Sequence, residues 1–383
     1  MFTPLLATLT ESPSKGGGLG LLLNEIKQTP LLWLLALVPV VLVAVRVWHD
    51  AHTLLFLLSV AAIVPLPALL SRATESVAAK TGDAVGGLLN ATLGNLTALI
   101  IALAALRAGQ YVLVKASIAG AIVTNALFML GVSFLYGGLK HHVQEYNRSN
   151  ARLQAGLLFL ATIALLIPSV LAEAEASAAD ARFVHTLSLG LSILLIVTYA
   201  LGLLFSLRTH KEFFSSADHG QGHEGEWQLP LALITLAVAT VLVALVSDVF
   251  VESVQQATTS LGLSPAFVGF IVVALVGAAA EMVSAWSAAG KNRLDLSVGI
   301  ALGSAVQIAL FVAPVLVLLS YVIGPTPMDL EFWHGAVAMM FIAAITGSLV
   351  TNTGRSAWFI GVLVVGIYLM FALTLYLLPP RVS

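Results

Sequence analysis

The feature that most constrains this chain is a succession of long apolar runs with hardly any charge inside them. The first begins after Thr29 and continues to about Trp48. Others follow at roughly 52–71, 85–106, 112–136, 153–172, 184–207, 227–247, 263–289, 296–323, 333–350 and 357–378. A membrane-spanning helix uses about 20 residues, and only helices or closed barrels satisfy their backbone in lipid. Unbroken runs of this length are not barrel strands, which alternate polar and apolar residues. The expected fold is an all-α integral membrane bundle of eleven transmembrane helices. Only 9% of residues are charged, against about 25% in a soluble protein. Soluble, disordered and nucleic-acid-binding classes are excluded on that ground, and the lipid bilayer is the expected surrounding. The absence of cysteine removes disulfides, thiolate metal sites and cysteine nucleophiles. Neither an HExxH run nor a GxSxG turn is present, so no enzyme and no cofactor is expected.

The connections divide the chain. Residues 1–28 read as a cytoplasmic N-terminal segment without a cleavable signal peptide. Residues 29–207 hold a first helix and five more, 208–226 form an acidic, histidine-containing linker, and 227–378 hold the last five helices. A short tail, 379–383, follows. When the sides are numbered alternately, twelve of the 17 basic residues fall on the N-terminal side. The positive-inside tendency then puts the N-terminus in the cytoplasm. Short loops and high Ala and Leu content lean towards a bacterial inner membrane. The linker carries His210, Glu212, Asp218, His219, His223, Glu224 and Glu226. It reads as a solvated connection or, less simply, a weak divalent-cation sensor.

The two halves resemble each other. A shift of 183 residues aligns Gly86 with Gly269, Gly94 with Gly277, and Gly120 with Gly303, without a gap. Ala126-Leu127-Phe128 likewise meets Ala309-Leu310-Phe311. Five helices per unit is an odd number, so the second copy runs inverted in the membrane. One N-terminal helix plus two inverted five-helix repeats is an architecture of secondary transporters, whose sites lie at the midplane where helices are interrupted. Gly94 and Gly277 occupy equivalent places for such interruptions. Small-residue helix packing is the alternative reading.

Eighteen of the 19 acidic residues fall in tails, loops or helix ends. Glu281 stands apart, well inside the eighth run. An ionisable group there is a functional candidate by default. A carboxyl that holds either a proton or a cation, never both, is the physical basis of proton-coupled antiport. The third run is the most polar, with Asn90, Thr92, Gly94, Asn95 and Thr97. Their oxygens are hard ligands suited to Ca²⁺ or Na⁺, and Glu281 and Asn95 are the expected cation ligands. Thr124 and Asn125, with Ser304 and Gln307 at matching repeat positions, complete a polar lining or bridge helices. Glu75, before the third run, and Asp248 and Glu252, after the seventh, read as helix-end acids at the interface.

These residues resemble the calcium/proton exchangers of the cation/Ca²⁺ exchanger superfamily. The stretch Ala73-Thr-Glu75 through Gly94-Asn95 is similar to the family's first signature. Val276-Gly277 through Glu281, then Asp295 to Phe311, is similar to its second. Gly137-Gly138-Leu139-Lys140 and Gly354-Arg-Ser356-Ala-Trp358 are further family-like landmarks. The resemblance covers about residues 29–378. It implies eleven helices, inverted repeats and exchange of cytosolic Ca²⁺ for protons by alternating access. The chain also departs from the family pattern. The first-signature glutamate falls on Ala98, the asparagine after the second-signature glycine on Ala278, and the following histidine on Met282. In the eleventh helix the usual asparagine and glutamate fall on Ala357 and Ile360. With a carboxylate lost, two other readings stay open: an exchanger or passive pathway for a monovalent or other cation, and a non-transporting sensor.

Overall fold

The computed structural model describes residues 20, 26–27, 29–81, 83–174, 181–209 and 227–380. Most of the N-terminal segment and residues 210–226 of the linker lie outside the described residues, and so do the readings attached to them. The rest is a helical bundle. In chain order the helices are α1 Pro30–Val47, α2 His52–Thr81, α3 Val85–Leu93, α4 Leu96–Arg107 and α5 Tyr111–His141. Then come α6 Arg148–Leu171, α7 Phe183–Thr209, α8 Leu229–Leu261, α9 Pro265–Gly277, α10 Ala279–Gly290, α11 Leu294–Ile323, α12 His334–Val350 and α13 Trp358–Leu377. Eight of these are long and apolar enough to cross a membrane, or ten crossings if each bent pair, α3/α4 and α9/α10, is one span. The 17-residue α12 is apolar but shorter.

Helix ends carry recognisable stop and start signals. Pro30 opens α1, where a missing N–H costs nothing. The long α8 closes on Gly262 at φ +68°, the left-handed position that glycine accepts without penalty. Two residues later the Ser264 hydroxyl accepts the Phe267 N–H at 3.0 Å and starts α9. A tight reversal results without a loop.

Three features differ from the sequence expectation. The helices α2 and α8 run 30 and 33 residues, well past their apolar runs. Hydropathy marks where lipid ends, whereas backbone hydrogen bonding continues through polar turns. Glu75, Asp248 and Glu252 therefore sit on helices, not beyond them. The third and eighth runs are not continuous helices: each bends at a break, by 43° and 58°. Finally, the bundle is not wholly helical. Strands β1 Val143–Glu145 and β2 Arg355–Ala357 pair antiparallel, with Gln144 opposite Ser356. Gly354, at φ +74°, turns the chain so that its carbonyl accepts the Tyr146 N–H at 3.0 Å.

Enclosure varies across the bundle. In α5, 83% of the apolar window is buried, against 17% in α7. The central helices approach closely because glycines remove side chains where they meet. A Cβ on Gly120 of α5 would collide with the Phe270 backbone of α9, and one on Gly269 would lie 2.7 Å from the Ala116 Cβ. Small residues at such contacts let membrane helices pack backbone to backbone. Both central helices α5 and α11 also carry a π-helical turn, at Thr124–Met129 and Ile308–Val312. These match under the 183-residue shift, and such bulges frequently mark functional sites.

Candidate functional site: two broken helices and one carboxyl

The two helix breaks have the same local form. In the first, α3 ends at Leu93 and α4 starts after Asn95, whose φ and ψ are −99° and 25°. In the second, α9 ends at Gly277 and α10 starts after Ala278, at −95° and 6°. Position 98 is thus the third residue of α4, and Glu281 is the third of α10. The breaks face each other. A Cβ on Gly277 would sit 3.4 Å from the Ala98 Cβ, in ordinary contact.

A break strands backbone groups that lipid cannot satisfy. At the first break the Ala91 carbonyl takes a hydrogen bond from Gln307 Nε2 and another, at 2.6 Å, from the Tyr199 hydroxyl. The same Gln307 accepts from Asn95 Nδ2 at 2.8 Å through its Oε1. One amide from α11 therefore holds both the cap residue and the stranded carbonyl of the other repeat. Three residues earlier on α11, Ser304 hydrogen-bonds Glu281. Successive positions on one helix face thus touch each broken span. Glu281 Oε2 is buried and has no protein partner.

Beside the breaks lies a cavity of about 20 Å³, room for about one water-sized occupant. Asn95, Ala98, Ser117 and Gly277 line it, together with alkyl side chains of α4, α5, α9 and α11. Glu281 is not among the residues lining the cavity. Taken together, the two breaks offer its carboxyl, a buried amide at Asn95 and the carbonyl-bearing ends of α3 and α9. Oxygen donors of this kind suit a hard cation, and helix C-terminal ends in broken spans favour positive charge.

The other expected residues divide into two groups. Thr97 is buried in the first turn of α4, and Gly94 faces Gln307, its notional Cβ 3.4 Å from Oε1. Asn125 is wholly buried, and neither of its amide atoms has a protein partner. Thr124 shares a 3.4 Å contact with the Tyr368 hydroxyl instead of a repeat partner. Its symmetry counterpart to the Asn95–Gln307 bond is missing because position 278 is alanine. By contrast, Asn90 is exposed, and the Thr92 hydroxyl donates to its own helix at Leu88, 2.9 Å away. Glu75 and Asp248 are exposed, and Glu75 lies 3.9 Å from Arg72.

The sodium/calcium exchanger protein family matches residues 51–208 and 231–377. The chain belongs to this family. It is 36% identical to a Ca²⁺/H⁺ antiporter of Aphanothece halophytica over 92% of this chain and 98% of the relative. It is 39% identical to the Ca²⁺/H⁺ antiporter ChaA of Bacillus subtilis (strain 168), over 86% of this chain and 94% of that protein. Its fold superposes on the native YfkE structure with a TM-score of 0.78 at 36% identity, covering 91% of this chain and all of that one.

As a sodium/calcium exchanger family protein, the chain has two site residues that sequence reasoning passed over. Tyr199 serves the first break from α7, and Tyr368 serves Thr124 from α13. Both lie deep in apolar runs, whereas span tyrosines usually cluster at the membrane interface. That depth is the signal that could have found them.

Proposed function

We propose that this chain is a secondary active transporter that exchanges Ca²⁺ for H⁺ across a membrane by alternating access. The observation that carries the reading is the pairing of the two breaks, with Glu281 at the start of one and Asn95 capping the other. Glu281 alternates between proton and cation. Asn95 and the backbone carbonyls at the breaks serve as neutral ligands, and Gly94 and Gly277 let the spans open there. Thr97, Thr124, Asn125, Ser304 and Gln307 shape the lining. The names of the relatives, Ca²⁺/H⁺ antiporters, supply the ion pair.

The finer architecture follows the same reading. Counting α12 as a crossing and each bent pair as one gives eleven spans, with α1 preceding two inverted repeats. The N-terminus lies in the cytoplasm of a bacterium whose inner membrane holds the protein. The helix-end acids Glu75 and Asp248 gather cations at the mouths. The decisive test is transport by the purified chain in proteoliposomes. Adding Ca²⁺ on one side should drive proton release on that side, and a panel of monovalent cations should do so poorly. Ca²⁺ flux with no proton movement would reject exchange in favour of a passive pathway.

A further inference from the structure

Two landmarks of the sequence, Gly137-Gly138-Leu139-Lys140 and Gly354-Arg355-Ser356-Ala357-Trp358, take no part in the exchange site. The fold brings them together at one end of the bundle. The β1–β2 pairing sets Val143 opposite Ala357, and a Cβ on Gly138 of α5 would strike the Trp358 backbone. On the other flank, the Tyr136 ring lies against Gly290, the last residue of α10. His141 Nε2 is 3.1 Å from the Gly290 carbonyl, and Gln144 Nε2 donates to the Ala289 carbonyl at 2.9 Å. The end of α5 is thus held between the start of α13 and the end of α10.

What this junction leaves on its surface is apolar, aromatic and basic. Tyr136, Leu139 and Lys140 share one face of α5, at i, i+3 and i+4. All three are exposed, as are Lys291 just after α10 and Trp358 and Phe359 at the start of α13. The charge here is unbalanced. Among the described residues neither Lys140 nor Lys291 enters an ion pair. Two acids of the same end are engaged elsewhere: Glu145 holds Arg355 at 2.7 Å, and Asp295 accepts the Asn147 N–H. Lys115, at the opposite end of α5, is by contrast paired with Asp329 at 2.5 Å. Lipid is the neighbour at hand, since only 22% of the α13 apolar window is buried. Trp and Tyr settle at the headgroup level of a bilayer, and lysines beside a span attract anionic headgroups.

We infer that this surface binds an anionic lipid. Lys140 and Lys291 hold the headgroup phosphate, Tyr136 and Trp358 lie at the interface, and the acyl chains run along Leu139 and Phe359. A phosphate between the two lysines ties α5 to the end of α10, the helix whose first turn carries Glu281. The site does not depend on which cation is exchanged.

The test uses the full purified chain in detergent, with phosphatidylglycerol as the probe and native mass spectrometry as the readout. A saturable complex should form and should raise the midpoint of thermal unfolding. Phosphatidylcholine and inorganic phosphate should do neither. Lys140→Gln with Lys291→Gln should weaken binding roughly thirtyfold, the scale of two basic residues at an anionic surface. Arg46→Gln with Arg107→Gln, two exposed positions at the opposite end, should leave it unchanged. In the parent chain, brominated phosphatidylglycerol should quench Trp358, read as the difference from Trp358→Phe. That reading holds even if the lysine variant fails to fold. Equal losses in the two double variants, or equal binding of phosphatidylcholine, would overturn the inference. So would binding of inorganic phosphate alone, or a lysine variant that loses self-association while still binding the lipid, which would give the surface to a second copy. None of these readouts requires transport, so failure of the exchange reading leaves them intact.

Discussion

Glu281 sits where its charge has the fewest competitors: in the first turn of α10, hydrogen-bonded to Ser304, with Oε2 unpartnered. Asn95 is oriented by Gln307, so its amide oxygen is available to a ligand while its N–H is occupied. Asn95→Ala should weaken Ca²⁺ affinity by about tenfold, or ~1.4 kcal/mol, read as a raised KM for Ca²⁺-driven proton flux. Gln307→Ala strands the Ala91 carbonyl on Tyr199 alone. It should lower stability by about 1–2 kcal/mol, the scale of a polar contact between membrane helices, measured by thermal unfolding in detergent. At this scale the sequence announced Glu281 by its depth and Asn95 by its polar neighbourhood. The Asn95–Gln307 bond links positions 212 residues apart, and no local pattern reports such a pairing. The sequence also offered Asn90 and Thr92 as lesser candidates beside Asn95, because helical phase across a break cannot be read from spacing.

The central elements depend on backbone contact. Gly120 and Gly269 let α5 and α9 meet without side chains between them. Gly120→Ala forces a methyl into the Phe270 backbone and should cost about 1–3 kcal/mol, the usual scale of overpacking. A lowered midpoint of thermal unfolding would report it, with a smaller effect for Gly156→Ala, where a Cβ meets nothing within 4 Å. The apolar runs disclosed nearly every helix, since lipid imposes their length. They did not disclose where α2 and α8 end, because polar turns extend a helix into water without a hydropathy signal. The breaks were half legible. Glycines at 94 and 277 suggested interruption, but the second break centres on Ala278 and the first on the Gly94-Asn95 pair. The β1–β2 pairing was illegible because strands of three residues leave no periodicity. Its exposed Glu145–Arg355 pair spans 2.7 Å, and Glu145→Gln should change stability by less than about 1 kcal/mol.

For the whole molecule, the 183-residue register joins sequence to architecture. It matches the two breaks, the π-helical turns of α5 and α11 and the cores of those two helices. Orientation is open to direct measurement because the chain has no cysteine. With a cytoplasmic N-terminus, Asn352→Cys should resist an impermeant thiol reagent applied outside intact cells, and Pro325→Cys should react. Both positions are exposed, so labelling depends on sidedness and not on burial. The reverse pattern would invert the topology. The site itself is tested most directly by comparing the parent chain with Glu281→Gln in proteoliposomes, reading Ca²⁺-driven proton release. A glutamine keeps the shape and cannot release a proton, so exchange should fall at least about 100-fold, or ~2.7 kcal/mol. Proton release by Glu281→Gln at the parent's rate would contradict an exchange site built on this carboxyl.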